Sequence, residues 1–342
     1  MEHERLSGIG LCLLLAIPAW WVGNLWPVIG GPVLGIILGM IITQLWPDKG
    51  IFQDGINWTG KKVLQVAVVL LGFGLDLGVI WQTGVTSLPI IVVTITVALV
   101  IAYVLHRTLG LTGNAATLIG VGSSICGGSA IAATAPVVDA DDDEIAQAMS
   151  VIFFFNVIAA ILFPWLGHWL GFSTTTGHAF GIFAGTAIND TSSVTAAAAT
   201  WDSMWHLGSQ TLSTAVTVKL TRTLAIIPIT FGLALYQVRQ HRGSGDNHFS
   251  LKRAFPMFIL YFILAALITT ISVHGFGANP DTFNIFKQLA KFMIVMAMVA
   301  IGMNTDVVKL IRTGGKPLLL GASCWFGITV ASLLMQHFLN IW

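Results

Sequence analysis

Charge is what this sequence most lacks. Only 9% of its 342 residues are Asp, Glu, Lys or Arg, against about 25% in soluble globular domains. A soluble fold of this length still leaves roughly a quarter of its unfolded surface in water, and these few charges cannot cover it. A net charge of +1 with no basic tract excludes nucleic acid as a partner. Cysteine is also scarce. Cys12, Cys126 and Cys324 are odd in number, far apart and set in apolar runs, so they form neither a disulfide framework nor a zinc site; they are expected to be small buried hydrophobes. His106, His168, His178, His206, His241, His248 and His274 fall at span ends or in loops without ligand spacing, and neither a metal nor a cofactor is expected. Catalytic motifs are missing as well. There is no HExxH and no GxSxG, which argues against an enzyme. GFGLDLG lacks the spacing of a dinucleotide loop, and GVGSSICGG lacks the Lys-Ser/Thr of a P-loop.

What fills the chain is apolar: 55% of residues are hydrophobic and the mean hydropathy is +0.84. The bilayer is the solvent such a chain requires, and lipid is its first partner. A spanning helix needs about 20 apolar residues. On that rule the spans are 6–23, 28–46, 62–82, 86–107, 113–138, 146–170, 178–200, 208–236, 254–274, 284–304 and 317–341. This is an all-α polytopic membrane protein of about 11 helices, one domain over 1–342. Residues 6–23 read as the first span and not as a cleaved leader, because Glu2 and Glu4 spoil a basic n-region.

Basic residues set the orientation. With the N-terminus in the cytoplasm, the inner segments hold Arg5, Lys49, Lys61, Lys62, Arg107, Arg239, Arg242, Lys252, Arg253, Lys309, Arg312 and Lys316, which is 12 of the 16 basic residues. The outer side holds the acidic run Asp139, Asp141, Asp142, Asp143 and Glu144. An odd span count then puts the C-terminus outside. Residues 239–253 read as a cytoplasmic loop. Trp20, Trp21, Trp26, Trp46, Trp81, Trp201, Trp205 and Trp342 lie near span ends, as an interfacial belt does.

Span three ends LLGFGLDLGVIWQTG (70–84), and span ten ends VAIGMNTDVVKLIRTG (299–314). Seven helices apart, the two run in opposite directions, as in the inverted repeats of transporters. Gly31, Gly35 and Gly39 recur every four residues in span two and predict close helix packing.

Two spans are too polar and too glycine-rich to be plain helices. Span five carries Gly120, Gly122, Ser123, Ser124, Cys126, Gly127, Gly128 and Ser129; span seven carries Asn189, Asp190, Thr191, Ser192 and Ser193 in mid-segment. Non-helical backbone at membrane depth persists only inside protein or along a watery cavity. Both segments therefore read as discontinuous helices, whose free N–H groups suit an anion. Tight packing by the small residues is the alternative. Span eight adds Lys219 and Arg222, three apart and on one helix face, where intramembrane charge is functional by default. The cations either pair with Asp190 or hold an anionic substrate while Asp190 takes the proton. Asp76 in span three is a second candidate coupling acid. Asn304 and Asp306 end span ten and are expected to cap it.

These residues carry a resemblance. GVGSSICGGSAIAATAPVV (120–138), FGIFAGTAINDTSSVTAAAAT (180–200), VKLTRTLAIIPI (218–229), the GFGLDLG end of span three and GMNTDV–KPLL (302–319) are similar to the YeiH-type family of bacterial inner-membrane proteins. That family is assigned to sulfate export and grouped with cation/proton antiporters and anion transporters. The resemblance covers nearly the whole chain. It implies an inner-membrane secondary transporter with inverted repeats and broken helices. Some members carry His-Glu where this chain has Asn189-Asp190, so an acid is kept at the second position. The site expected from the residues themselves is Ser123, Ser124, Gly127, Gly128, Ser129, Asn189, Thr191, Ser192, Ser193, Lys219 and Arg222 around a small anion such as sulfate or sulfite. Asp190 and Asp76 would couple transport to protons or sodium. The alternatives are a sodium/proton-type cation exchanger and a non-transporting receptor or scaffold. Assembly as a homodimer is compatible with such a chain.

Overall fold

The computed structural model describes residues 2–25, 31–73, 76–225, 228–229, 231–233, 257–305 and 315–342. Among these every regular element is a helix. They are α1 (Glu2–Leu25), α2 (Gly31–Leu45), α3 (Gln53–Trp58), α4 (Leu64–Gly72), α5 (Leu77–Leu109), α6 (Gly113–Ser124), α7 (Gly128–Val138), α8 (Asp142–Leu170), α9 (His178–Ala187), α10 (Thr191–Trp205), α11 (Gln210–Thr223), α12 (Met257–Thr270), α13 (Asn284–Met303) and α14 (Gly315–Phe338). A 3-10 turn, Gly50–Phe52, leads into α3, and a π-helical turn, Thr59–Val63, joins α3 to α4. Among the described residues five helices are long and apolar enough to cross a membrane: Arg5–Leu25, Leu77–Leu109, Glu144–Leu170, Asn284–Met303 and Gly315–Phe338. The other expected crossings fall on segments that are shorter, broken or only partly described: α2, α3–α4, α6–α7, α9–α10, α11 and α12. The loop 239–253, Asp306 and the end of the repeat motif at 306–314 lie outside the described residues.

One boundary differs from expectation. A break was expected between 82 and 86, yet α5 runs through it. Thr86 and Ser87 turn their hydroxyls back onto the carbonyls of Gln82 (2.8 Å) and Gly84 (3.0 Å), and the helix continues past Pro89. The chain breaks earlier, after Gly72, because Asp76 caps the new helix by accepting from the Gly78 N–H at 2.7 Å. The acidic run 139–144 also has a local role. Asp139 adopts φ 54° to end α7, and Asp141 and Glu144 form a reciprocal capping box that starts α8.

The helices pack as two groups. One holds α5 to α11 with α14; the other holds α1 to α4, α12 and α13. They meet where α10 lies against α2 and α13, and more weakly where α12 touches α5 and α2 touches α8. The glycine stripe of α2 does pack a helix, namely α13. A Cβ on Gly39 would collide with the Val299 carbonyl, and one on Gly302 with the Ile36 carbonyl. On the other side α4 meets α12 as closely: a Cβ on Gly72 would sit 2.5 Å from the Phe262 carbonyl. The pairs α2–α13 and α4–α12 exchange under the seven-helix offset of the sequence echo, as an inverted repeat requires. Gly302→Val is accordingly expected to force α2 and α13 apart, costing about 1–3 kcal/mol or more. Thermal unfolding in detergent would read this; an unchanged melting temperature would contradict the contact.

Two tryptophans depart from the expected belt. Trp201 is fully buried and stacks on Phe180 with ring centroids 4.2 Å apart, and Trp205 leans on Trp201. Trp21 and Trp81 do face outward. Cys12, Cys126 and Cys324 are free and buried.

Candidate functional site

The two glycine- and serine-rich spans are discontinuous helices. α6 ends at Ser124; Ile125 leaves helical geometry (φ −117°, ψ −90°), and Gly127 (φ 70°, ψ −127°) precedes α7. That backbone is open to glycine and strained for any L side chain. In the second pair α9 ends at Ala187, Ile188 and Asp190 are extended, and α10 begins at Thr191. Between the pairs runs α8, 29 residues or about 44 Å long, enough for one full crossing. The two broken helices therefore run in the same direction. Their first halves enter from the same face, and the C-terminal ends of α6 and α9 come together inside the protein.

Two buried cations on α11 close those ends. Lys219 donates to the carbonyls of Ile125 (2.6 Å) and Ile188 (3.1 Å). Arg222 donates through Nε to Ser124 (2.8 Å), through one terminal nitrogen to Ser123 (2.9 Å), and through the other to Thr186 (2.6 Å) and Ile188 (3.4 Å). Both side chains are 0% exposed. Helix C-termini carry unpaired carbonyls and partial negative charge, and these six bonds satisfy both. Among the described residues neither cation forms an ion pair with Asp190.

The N-terminal ends are treated unequally. Asp190 caps α10, accepting from the N–H groups of Ser192 (2.9 Å) and Ser193 (3.4 Å) and from the Ser192 hydroxyl. Among the described residues α7 has no side-chain cap at Gly127. Its first residues, Gly128 and Ser129, are half-buried and exposed respectively.

Asn156 on α8 joins the two breaks, and sequence reasoning missed it. Its Oδ1 accepts from the N–H groups of Asn189 and Asp190, each at 3.1 Å, which fixes the orientation of the amide. Its Nδ2 lies 3.6 Å from where a Gly127 Cβ would stand. That donor and the Asn189 Oδ1 are buried and have no partner among the described residues, a condition rare enough to need a reason. The signal in the sequence was a lone polar residue inside the apolar run FFFNVIAAILF.

The structure thus gathers most of the predicted site residues. Gly127, Gly128 and Ser129 start α7; Asn189, Asp190, Thr191, Ser192 and Ser193 start α10; Lys219 and Arg222 face both breaks. Ser123 and Ser124 are present through their carbonyls, while the Ser124 hydroxyl folds back to Val121 at 3.0 Å. Asp76 is held elsewhere, at the α4–α5 break, where its Oδ2 meets His274 Nε2 at 2.9 Å. Asn304 does end α13, and it accepts from Gln53 at 2.8 Å.

The family described as "Conserved hypothetical protein 698" has a sequence model that matches residues 7–321. A "UPF0324 membrane protein" of Streptococcus mutans is 56% identical over 345 residues, covering 100% of this chain and 99% of its own. A UPF0324 membrane protein of Fusobacterium nucleatum is 56% identical, covering 99% of each chain. One of Streptococcus agalactiae is 54% identical, again over 99% of each.

Proposed function

The chain belongs to the conserved hypothetical protein 698 family, whose relatives are named as membrane proteins, and on that premise we propose that it is a secondary transporter of a small inorganic or sulfur-containing anion, sulfate or sulfite first. The observation that carries this reading is the uncapped start of α7. It is a positive helix end at a break inside the protein, with the unpartnered Asn156 Nδ2 beside it. Such an end is an anion site in waiting. Lys219 and Arg222 supply positive field from behind while their donors hold the opposing carbonyls. Substrate would enter where Gly128 and Ser129 are accessible. Rocking of the α5–α11 and α14 group against the other group, about the α10 contact with α2 and α13, would give alternating access.

The setting in this reading is the bacterial inner membrane, with the N-terminus cytoplasmic and the C-terminus outside, which the distribution of basic residues supports. Export is the direction that the sulfate-exporter resemblance implies. Asp190 would also suit a sodium/proton-type exchanger, since it is the carboxylate at the crossover, the place where the α6–α7 and α9–α10 breaks come together. A thermal-shift screen of the purified protein separates the readings. Sulfate and sulfite are expected to raise the melting temperature where sodium chloride does not. Stabilisation by sodium with no response to any oxyanion would contradict anion transport.

A further inference from the structure

The charges at the crossover do not cancel. A helix end carries about half an elementary charge, so the C-termini of α6 and α9 and the N-termini of α7 and α10 sum to about zero. Lys219 and Arg222 add two positive charges, and Asp190 removes one. Counting both bases as cations, the crossover holds about +1 with Asp190 ionised and about +2 with it protonated. Among the described residues the ionisable groups facing Asp190 are Lys219 and, behind it, Arg222 on α11, with Cys126 from the α6–α7 break. Asn156 faces it from α8 and is neutral. α2 has no ionisable residue, those of α8 and α9 lie in their end turns, and Lys291 of α13 bonds Gly208 beyond the far end of α10.

Position couples the acid to the anion. The Asp190 Cβ is 3.4 Å from where a Gly127 Cβ would stand, so an anion on the first N–H groups of α7 lies against this carboxylate. Two like charges that close, away from water, cannot both stay ionised. Resting on the anion-transport reading, we propose that the crossover binds a divalent oxyanion together with one proton, the anion at the start of α7 with Asn156 Nδ2 as its fixed side-chain donor, and the proton on Asp190. The proton comes from bulk water on binding and returns there on release. The loaded crossover is then neutral: +2 from the protein and −2 from the ligand. The transported unit carries −1, and an inside-negative membrane drives it outward.

Calorimetric titration of the full chain in nanodiscs with sodium sulfate, in two buffers of different ionisation heat, counts the protons. Sulfate stays divalent near neutral pH, so any proton taken up belongs to the protein. Wild type is expected to take up about one proton per sulfate bound, with affinity falling about tenfold per unit rise in pH once Asp190 is ionised. Asp190→Asn should bind sulfate with no proton uptake and no such pH dependence. Asn156→Asp keeps an oxygen for the Asn189 and Asp190 N–H groups, so it should fold; it should lose sulfate affinity by about tenfold or more, as expected on removing one partner of a charge-assisted bond. Sulfate bound by wild type with no proton uptake, or undiminished affinity in Asn156→Asp, would overturn co-binding and leave anion transport standing. Failure of wild type to bind sulfate, sulfite or thiosulfate would overturn both.

Discussion

Arg222→Met is expected to be the most damaging single substitution in the chain. The guanidinium bonds four carbonyls, those of Ser123, Ser124, Thr186 and Ile188, at the ends of two helices. Bonds to a charged donor contribute about 1.5–3 kcal/mol each, and carbonyls left unpaired in a buried site cost more than the bond itself. Methionine fills the volume and supplies no donor. A loss of about 4 kcal/mol or more follows, comparable to breaking a buried charge pair, and the melting temperature should fall by about 10 °C. Lys219→Met removes two such bonds and should cost about half as much. Arg222→Lys keeps the charge without the planar fork and should fall between. Thermal unfolding of the three variants ranks them. If Lys219→Met proved worse than Arg222→Met, closing of the helix ends would not be what these residues mainly do.

Gly127→Ala is expected to act far more on transport than on stability. Its φ of 70° and ψ of −127° cost an alanine about 1–3 kcal/mol of backbone strain. Space is not the obstacle, since the added Cβ would meet Asp190, Ile152 and Asn156 at 3.4–3.6 Å. The chain relieves the strain by rotating the break, and this moves the first N–H groups of α7 away from Asn156. A displacement near 1 Å at a positioned site costs about a hundredfold in rate. Sulfate flux should drop by that factor while the melting temperature falls only a few degrees. Equal flux in Gly127→Ala and wild type would remove α7's start from the pathway.

The membrane class, the two breaks and most of the crossover are legible in the sequence, because each leaves a local mark. Glycines, serines and an acid in mid-span cannot be ordinary lipid-facing helix. What it left open was long-range. Nothing local tells whether Lys219 and Arg222 face Asp190 or the carbonyls of two distant breaks, and the bonds of Arg222 span 34 to 99 residues of chain. Asn156 escaped for the same reason: one amide in an apolar helix reads as a tolerated polar residue until its partners, 33 and 34 residues on, come into view. The α5 boundary was misplaced because hydropathy does not register a cap. Asp76 starts a 33-residue helix, so residues 77–82, read as the end of span three, belong to the same element as span four. Trp201 shows the converse limit, since nearness to a span end does not say which way a side chain turns.

Counterflow of radiolabelled sulfate into proteoliposomes tests the central claim most directly. Wild type should exchange sulfate saturably, Gly127→Ala should fall to the level of empty liposomes, and Arg5→Ala, which among the described residues breaks the exposed pair with Asp54, should match wild type. Exchange by wild type no faster than by empty liposomes, or undiminished exchange by Gly127→Ala, would contradict an anion pathway through the crossover.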